Sequence, residues 1–266
     1  MRYNQSSIQK RKQQLHSRKK RLHSSFSVLV FKIFLLLLLV LIVGGGGLAF
    51  GSVEGMIETT PTNYNLKPKY SATIIFDDSG QKTEVLSDYS SNRIIVDYEQ
   101  IPANLKNAFI AIEDERFYEH NGVDLKGIIR AGITALQNGG ATQGASTITQ
   151  QLIKNNVFEV WDESNFLAKI KRKIQEQYLA IQVEKKTSKE EILTDYLNTI
   201  NLGKGTLGVE SAANYYFDKS VEDLTLSECA VIASITQNPT RLNPIDHPEN
   251  NKERRDIVLR KMYELN

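Results

Sequence analysis

An uncharged apolar run, Ile33 to Phe50, reading IFLLLLLVLIVGGGGLAF, constrains this chain more than any other feature. Together with the preceding FSVLVFK it is long enough for a helix to cross a hydrocarbon core of about 30 Å. Residues 26–50 are therefore expected to form one transmembrane helix. The 25 residues before it carry Arg2, Lys10, Arg11, Lys12, Arg18, Lys19, Lys20 and Arg21 and no acid. By the positive-inside rule, residues 1–25 stay in the cytoplasm as a basic tail and everything after Gly51 lies on the outer face of the membrane. The competing reading is a signal peptide cleaved near Ala49-Phe50-Gly51. The basic region is too long and the apolar region too extended for that reading to be preferred.

The 266 residues are 41% hydrophobic with a net charge of +2, which suits one globular domain with appendages. So small a net charge says little about partners, and no nucleic acid is expected among them. Cys229 is the single cysteine, so no intrachain disulfide framework exists and stability must come from a core. Lacking a second Cys, and with its His residues scattered, the chain offers no structural zinc site.

Residues 51–72 include the polar, proline-bearing ETTPTNYNLKPKY and read as a linker. ATIIFDDSGQKTEVL and NRIIVDY are β-branched runs split by turn residues, which predicts a small hairpin. From Pro102 onward the pattern is helical. Leu105, Ala108, Phe109 and Ile112 recur at helical spacing, with Pro102 suited to the first turn. Ser188 with Glu191, and Thr225 with Glu228, have capping-box spacing.

AIEDERFYEHNG holds three consecutive acids, Glu113, Asp114 and Glu115. Continued as a helix, it sets Glu113 in one column with Phe109 and Phe117, turns Asp114 to the opposite side and leaves Glu115 on the flank of the apolar stripe. A carboxyl against aromatic rings loses hydration in its charged form, which raises its pKa toward the range useful for proton transfer. Glu113 is the best acid/base candidate of the three, and a solvated acidic patch is the alternative.

GGATQGASTITQQLIKN runs from a flexible loop into a helix, with Thr147 and Gln150 in capping-box spacing and Lys154 two turns in. Free N–H groups at a helix start, the hydroxyls of Ser146, Thr147 and Thr149, and a nearby ammonium suit a phosphate or pyrophosphate; an ordinary capped helix is the alternative. Gly139 to Gly144 has the spacing of a nucleotide-binding loop, but Ala145-Ser146 follows where Lys-Ser/Thr is needed. In NFLAKIKRKIQEQYLAIQVEKK, Leu167, Ile170, Ile174, Tyr178 and Ile181 share a stripe and leave Lys169, Arg172, Lys173 and Glu176 on the other face. Arg172 and Glu176 are either a plain surface pair or part of an anion site. Phe158, Val160, Trp161 and Phe166 are read either as dipping into a membrane interface or as core.

Taken in order, EDERFYEHNG, GASTITQQLIKN, RKIQEQYLAIQVE, KEEILTDYLNTINLGKGTLG and LTLSECAVIASITQNPTRLNP resemble the five motifs of the peptidoglycan glycosyltransferase family over roughly residues 95–260. These domains form the N-terminal half of class A penicillin-binding proteins and the whole of monofunctional cell-wall polymerases. The resemblance implies a mainly α, lysozyme-like domain over residues 73–266 with a membrane-associated jaw. It also implies polymerisation of lipid II into glycan strands outside the bacterial cytoplasmic membrane, by inverting transfer with release of undecaprenyl pyrophosphate.

Carried over by motif position, Glu113 resembles the general base that takes the proton of the acceptor 4-hydroxyl. Glu176 resembles the second catalytic Glu, assisting the pyrophosphate side with Lys154, Arg172 and, where one is used, a divalent cation such as Mg or Mn. Asp114, Phe117, His120 and Arg130 match positions that shape the sugar sites, and Ser146, Thr147, Gln150 and Gln151 fall in the second motif. Departures lie at Asn201 and Leu207, where aromatics are common, and at Gln175, where a basic residue sometimes occurs. No transpeptidase half is visible: Ser17–Lys20 and Ser79–Lys82 have S-x-x-K spacing, but no K-T-G follows. The expectation is that a transpeptidase domain follows in a longer protein, and a monofunctional enzyme is the alternative. The expected partners are lipid II, the growing strand, the membrane, and cell-division or elongation proteins. A lysozyme-like glycan-cleaving enzyme and a non-catalytic scaffold binding lipid II are the competing functions.

Overall fold

The computed structural model describes Gln9 and residues 51–68, 73–80, 82–86, 93–138, 144–158 and 165–265. The predicted anchor, the first part of the glycine loop and the Trp161 loop lie outside the described residues. Among those described, no helix is long and apolar enough to cross a membrane. The chain divides into two compact units, Met1–Glu58 and Thr59–Asn266. In the first, residues 51–58 are helical, at the start of what was read as linker.

Within the second unit, β1 (Thr73–Phe76) and β2 (Lys82–Leu86) pair antiparallel with an irregularity after Ile75. Apart from isolated bridges at Leu207, the other regular elements among the described residues are helical. α1 (Ala103–Glu113) begins behind Pro102, which is its N-cap and not a member of its first turn. Then come α2 (Leu125–Asn138), α3 (Ile148–Asn156), α4 (Phe166–Glu184), α5 (Lys189–Thr199) and α6 (Val209–Phe217). α7 (Leu226–Ser234), the single turn α8 (Pro239–Leu242) and α9 (Pro248–Leu265) complete the order.

The predicted caps form: the hydroxyls of Thr147, Ser188 and Thr225 accept from the N–H three residues on. Of these three, Thr225 has the reciprocal half of the box, its own N–H donating to Glu228 at 2.8 Å. Such a cap stabilises a helix by about 1 kcal/mol.

The core is built where α1 packs on α7 and α9, and where α3 lies against α4 and α5. Leu105, Phe109, Ile148, Leu152, Leu193, Tyr196, Leu197 and Ile232 are fully enclosed there, each apolar side chain contributing roughly 1.5–3 kcal/mol. Phe109 and Tyr196 meet edge to face with centroids 6.1 Å apart.

Two helices break the usual rule of apolar face inward. On α4 the buried residues are Gln175, Glu176, Leu179, Ala180 and Val183, while Leu167, Tyr178 and Ile181 of the predicted apolar stripe are exposed. On α2, Leu125, Ile129, Ile133 and Leu136 form one stripe, and all four face solvent, Leu136 at 86%.

The remainder of the predicted linker lies against the domain. Thr59 accepts from Gln175, the Leu66 carbonyl accepts from Asn156 at 2.7 Å, and Lys67 pairs with Glu191 and Asp195. Polar composition hides this, because much of the contact is made by a hydroxyl, a backbone carbonyl and an ammonium, with Tyr64 and Leu66 packed on the core beside them.

Candidate active site

α1 stops at Glu113 because Asp114 leaves helical geometry, at φ −156° and ψ 70°. Phe117 therefore does not continue the predicted column. Its ring is buried against His120 and beneath the Lys189 ammonium, 4.4 Å from the ring centre. Nor is Asp114 outward: it is buried, and both its oxygens lie 2.9 Å from His120 Nε2. Because Gly122 N–H donates to His120 Nδ1, Nε2 carries the proton that goes to Asp114.

Asp114 Oδ2 also accepts from Ile148 N–H at 3.0 Å, while Thr147 Oγ1 accepts from Gln150 N–H. Protein acceptors thus occupy those N–H groups at the start of α3, so of the two readings of this helix start, anion site or ordinary cap, these groups form the cap. Thr147 Oγ1 and Gln150 Nε2 both donate to the Gly122 carbonyl. Gly122 itself, at φ +92°, presses so close to α4 that a Cβ would sit 2.5 Å from the Ala180 carbonyl carbon.

Two cavities open on either side of Glu113, and both are lined by Ile112, Glu113, Gly144, Ser146, Gln237 and Arg254. The cavity of about 480 Å³ is completed by Gln150, Gln151, Lys154, Asn155, Arg172, Lys173, Glu176 and Thr236. It holds Lys154, Arg172, Lys173 and Arg254 against the carboxylates of Glu113 and Glu176. Glu176 is fully enclosed; Oε1 accepts from Arg172, and Oε2 accepts from Lys173 at 2.9 Å. Lys173 also donates to Ser146 Oγ at 2.8 Å, tying α4 to the strand of chain that enters α3.

The other cavity, about 280 Å³, holds Arg116, Arg130, Arg254 and Lys261 against Glu113, Asp114, Glu115 and Asp124. Arg116 pairs with Glu115 and Asp124, and Arg130 pairs with Glu115. Burial pushes the Glu115 carboxyl up, but hydrogen bonds from Arg130 and Arg116 outweigh it and hold it below the ordinary range. Asp124 follows the same pattern, with Arg116 and the Gly127 N–H prevailing over burial.

The Glu113 carboxylate is held at both oxygens. Thr236 Oγ1 donates to Oε1 and Gln151 Nε2 donates to Oε2 at 2.8 Å. The structure thus brings Glu113, Glu176, Asp114, Arg130, Ser146, Thr147, Gln150, Gln151, Lys154 and Arg172 to the cavity walls. Phe117 and His120 stay behind that wall.

Sequence reasoning misses Thr236, Gln237 and Arg254. Arg254 Nε is buried with no hydrogen-bond partner among the described residues; burial lowers its pKa, and the Glu113 charge opposes that. The available sign was its place in the column Asn251–Arg254–Val258, whose other two members are buried: a cation on the inward face of a helix needs a partner or a ligand.

A divalent cation at Glu176 does not fit. Both its oxygens are engaged by cations, and among the described residues no group of three His, Cys, Asp or Glu could hold a metal.

A family model described as Transglycosylase matches residues 79–263. The chain is 44% identical over 234 residues to penicillin-binding protein 1A of Clostridium botulinum (strain Langeland), an alignment covering 85% of this chain and 27% of that protein. It is 45% identical over 190 residues to penicillin-binding protein 1F of Bacillus subtilis, covering 71% and 26%. The chain spans about a quarter of the length of these curated relatives. A crystal structure of penicillin-binding protein 1A from Haemophilus influenzae matches 73% of this chain and 18% of that chain at 24% identity. Its TM-score of 0.37 is too low to argue a shared fold from.

Proposed function

The chain belongs to the transglycosylase family, and from that premise we propose that it polymerises lipid II into peptidoglycan glycan strands. The observation that carries this reading is the position of Glu113, one carboxylate on the wall of two cavities, one with surplus positive charge and one charge-balanced. The cation-rich cavity suits the leaving pyrophosphate, since Lys154, Arg172 and Lys173 are already in place to meet developing negative charge. The charge-balanced cavity suits the acceptor. Glu113 takes the 4-hydroxyl proton as that oxygen bonds to the donor's anomeric carbon, and the bond from that carbon to the pyrophosphate oxygen breaks with inversion. Glu176 keeps Arg172 and Lys173 in place for the departing group.

The wider reading is a lysozyme-like domain on the outer face of the cytoplasmic membrane, anchored through residues 26–50. The exposed stripe of α2 and the exposed Phe166 and Leu167 at the start of α4 supply an apolar jaw that would enter the interface and receive the lipid.

The test is the full chain in detergent, given lipid II in one arm and isolated cell wall in the other. Glycan polymer and released polyprenyl pyrophosphate are expected in the first arm and no soluble muropeptide in the second. The reverse pattern would replace polymerisation by cleavage, and substrate binding without turnover would make the chain a scaffold.

A further inference from the structure

The two oxygens of Glu113 meet donors of different kinds. Gln151 presents an amide N–H to Oε2, and an amide nitrogen can donate but not accept. The amide cannot turn over freely, because Gln151 Oε1 accepts from the Tyr196 hydroxyl at 3.2 Å. Tyr196 is fully buried, and burial together with the Glu113 and Asp114 charges pushes its hydroxyl well above the ordinary value, so it stays a donor. Oε1 meets Thr236 instead, and the same hydroxyl lies 3.0 Å from the Ala233 carbonyl oxygen. A hydroxyl has one proton and two lone pairs, so it can serve either state of the carboxyl. With Glu113 ionised it donates to Oε1. With Glu113 protonated it accepts from the carboxyl O–H and turns its own proton to Ala233.

We propose that Thr236 and the Tyr196–Gln151 pair are positioning residues that direct proton uptake by Glu113 to Oε1. The inference rests on the reading of Glu113 as the base. As the acceptor O4–C1 bond forms and the C1–O bond to pyrophosphate breaks, the O4 proton passes to Oε1. The new carboxyl O–H then swings to donate to Thr236 Oγ1, away from the glycosidic oxygen, and the Thr236 O–H, its bond intact, turns to donate to the Ala233 carbonyl. Nothing else is consumed. Oε2 is closed to the proton because it would have to face the Gln151 N–H.

The charged groups that share the cation-rich cavity with Glu113 are Arg254 of α9, Lys154 of α3, and Arg172, Lys173 and Glu176 of α4. Asp114 and Glu115 adjoin it along the chain, with Arg116, Asp124, Arg130 and Lys261 across the second cavity.

The test follows polymer formation from lipid II against pH for the full chain in detergent. Thr236→Val is expected to lower turnover about tenfold or more with KM nearly unchanged, and Thr236→Ser to recover most of the rate. Tyr196→Phe keeps the ring on Phe109 but frees the Gln151 amide. Losing a secured donor to the charged form raises the carboxyl pKa, so the acid limb of catalytic efficiency is expected to move up by about half to one pH unit. Reduced folding alone would lower active fraction and thermal midpoint without moving that limb. Parental turnover in Thr236→Val, equal impairment in the Val and Ser variants, or an unmoved limb in Tyr196→Phe would overturn the inference. Glu113→Gln is run beside them: full polymer from it would overturn the base assignment itself, whereas an inactive Glu113→Gln beside a fully active Thr236→Val would overturn the positioning alone.

Discussion

The two cavities beside Glu113 have the same number of cations and differ in what offsets them. On the Glu176 side, Lys154, Arg172, Lys173 and Arg254 face two carboxylates. On the Glu115 side, Arg116, Arg130, Arg254 and Lys261 face four. Surplus positive charge on one side and balance on the other gives a single carboxylate two unlike neighbours. Charge lining alone would have marked both as anion sites; counting the acids separates a place for a polyanion from a place for a sugar.

The comparison breaks most readily at its cationic end. Lys154→Met is expected to lower turnover about 100-fold, as removal of one preorganised electrostatic group typically does. Arg130→Ala, on the balanced side, is expected to act mainly on KM for the acceptor, by about tenfold, since it removes ground-state binding. Steady-state kinetics on both variants checks this, and equal losses confined to KM in both would erase the distinction between the cavities.

Glu176→Gln sharpens it further. The substitution leaves Arg172 and Lys173 without their enclosed carboxylate, and a stability loss of about 2 kcal/mol is expected in thermal or denaturant unfolding, discounted because Lys173 is partly exposed. On the other side, Glu115 and Asp124 are held below the ordinary carboxylate range in the folded state. Their contribution is fully present above the unfolded value of about 4 and is lost as pH falls through the depressed folded values. A melting profile between pH 6 and pH 3, on the order set by those reference values, should be flatter in Glu115→Gln than in the parent. The smallest effect is expected at a residue that lines neither cavity. Cys229 is buried and its thiol is pushed up to about 12, so a thiol reagent should label it only as fast as the domain opens.

What the sequence disclosed about this site, and what it concealed, follows the range of the interactions. Caps at Thr147, Ser188 and Thr225 are local, and each forms where its spacing placed it. Glu113, Lys154, Arg172 and Glu176 were legible as members of ordered motifs. Asp114 and Phe117 were misplaced because helical spacing was carried one turn past the true end of α1. On α4, periodicity groups the apolar stripe but does not say what it faces, and Leu167, Tyr178 and Ile181 of that stripe are exposed. A moment records which residues share a face and not whether that face meets protein or lipid. Thr236 and Arg254 reach Glu113 only because α7 and α9 both pack on α1, a long-range arrangement that no local pattern encodes.

The most direct test of Glu113 as the shared base separates chemistry from binding. With Glu113→Gln, lipid II should bind within about twofold of the parent while polymer formation falls by about 100-fold or more, the range attributed to a positioned general base. Polymer made at the parental rate by that variant, with binding unchanged, would contradict the assignment.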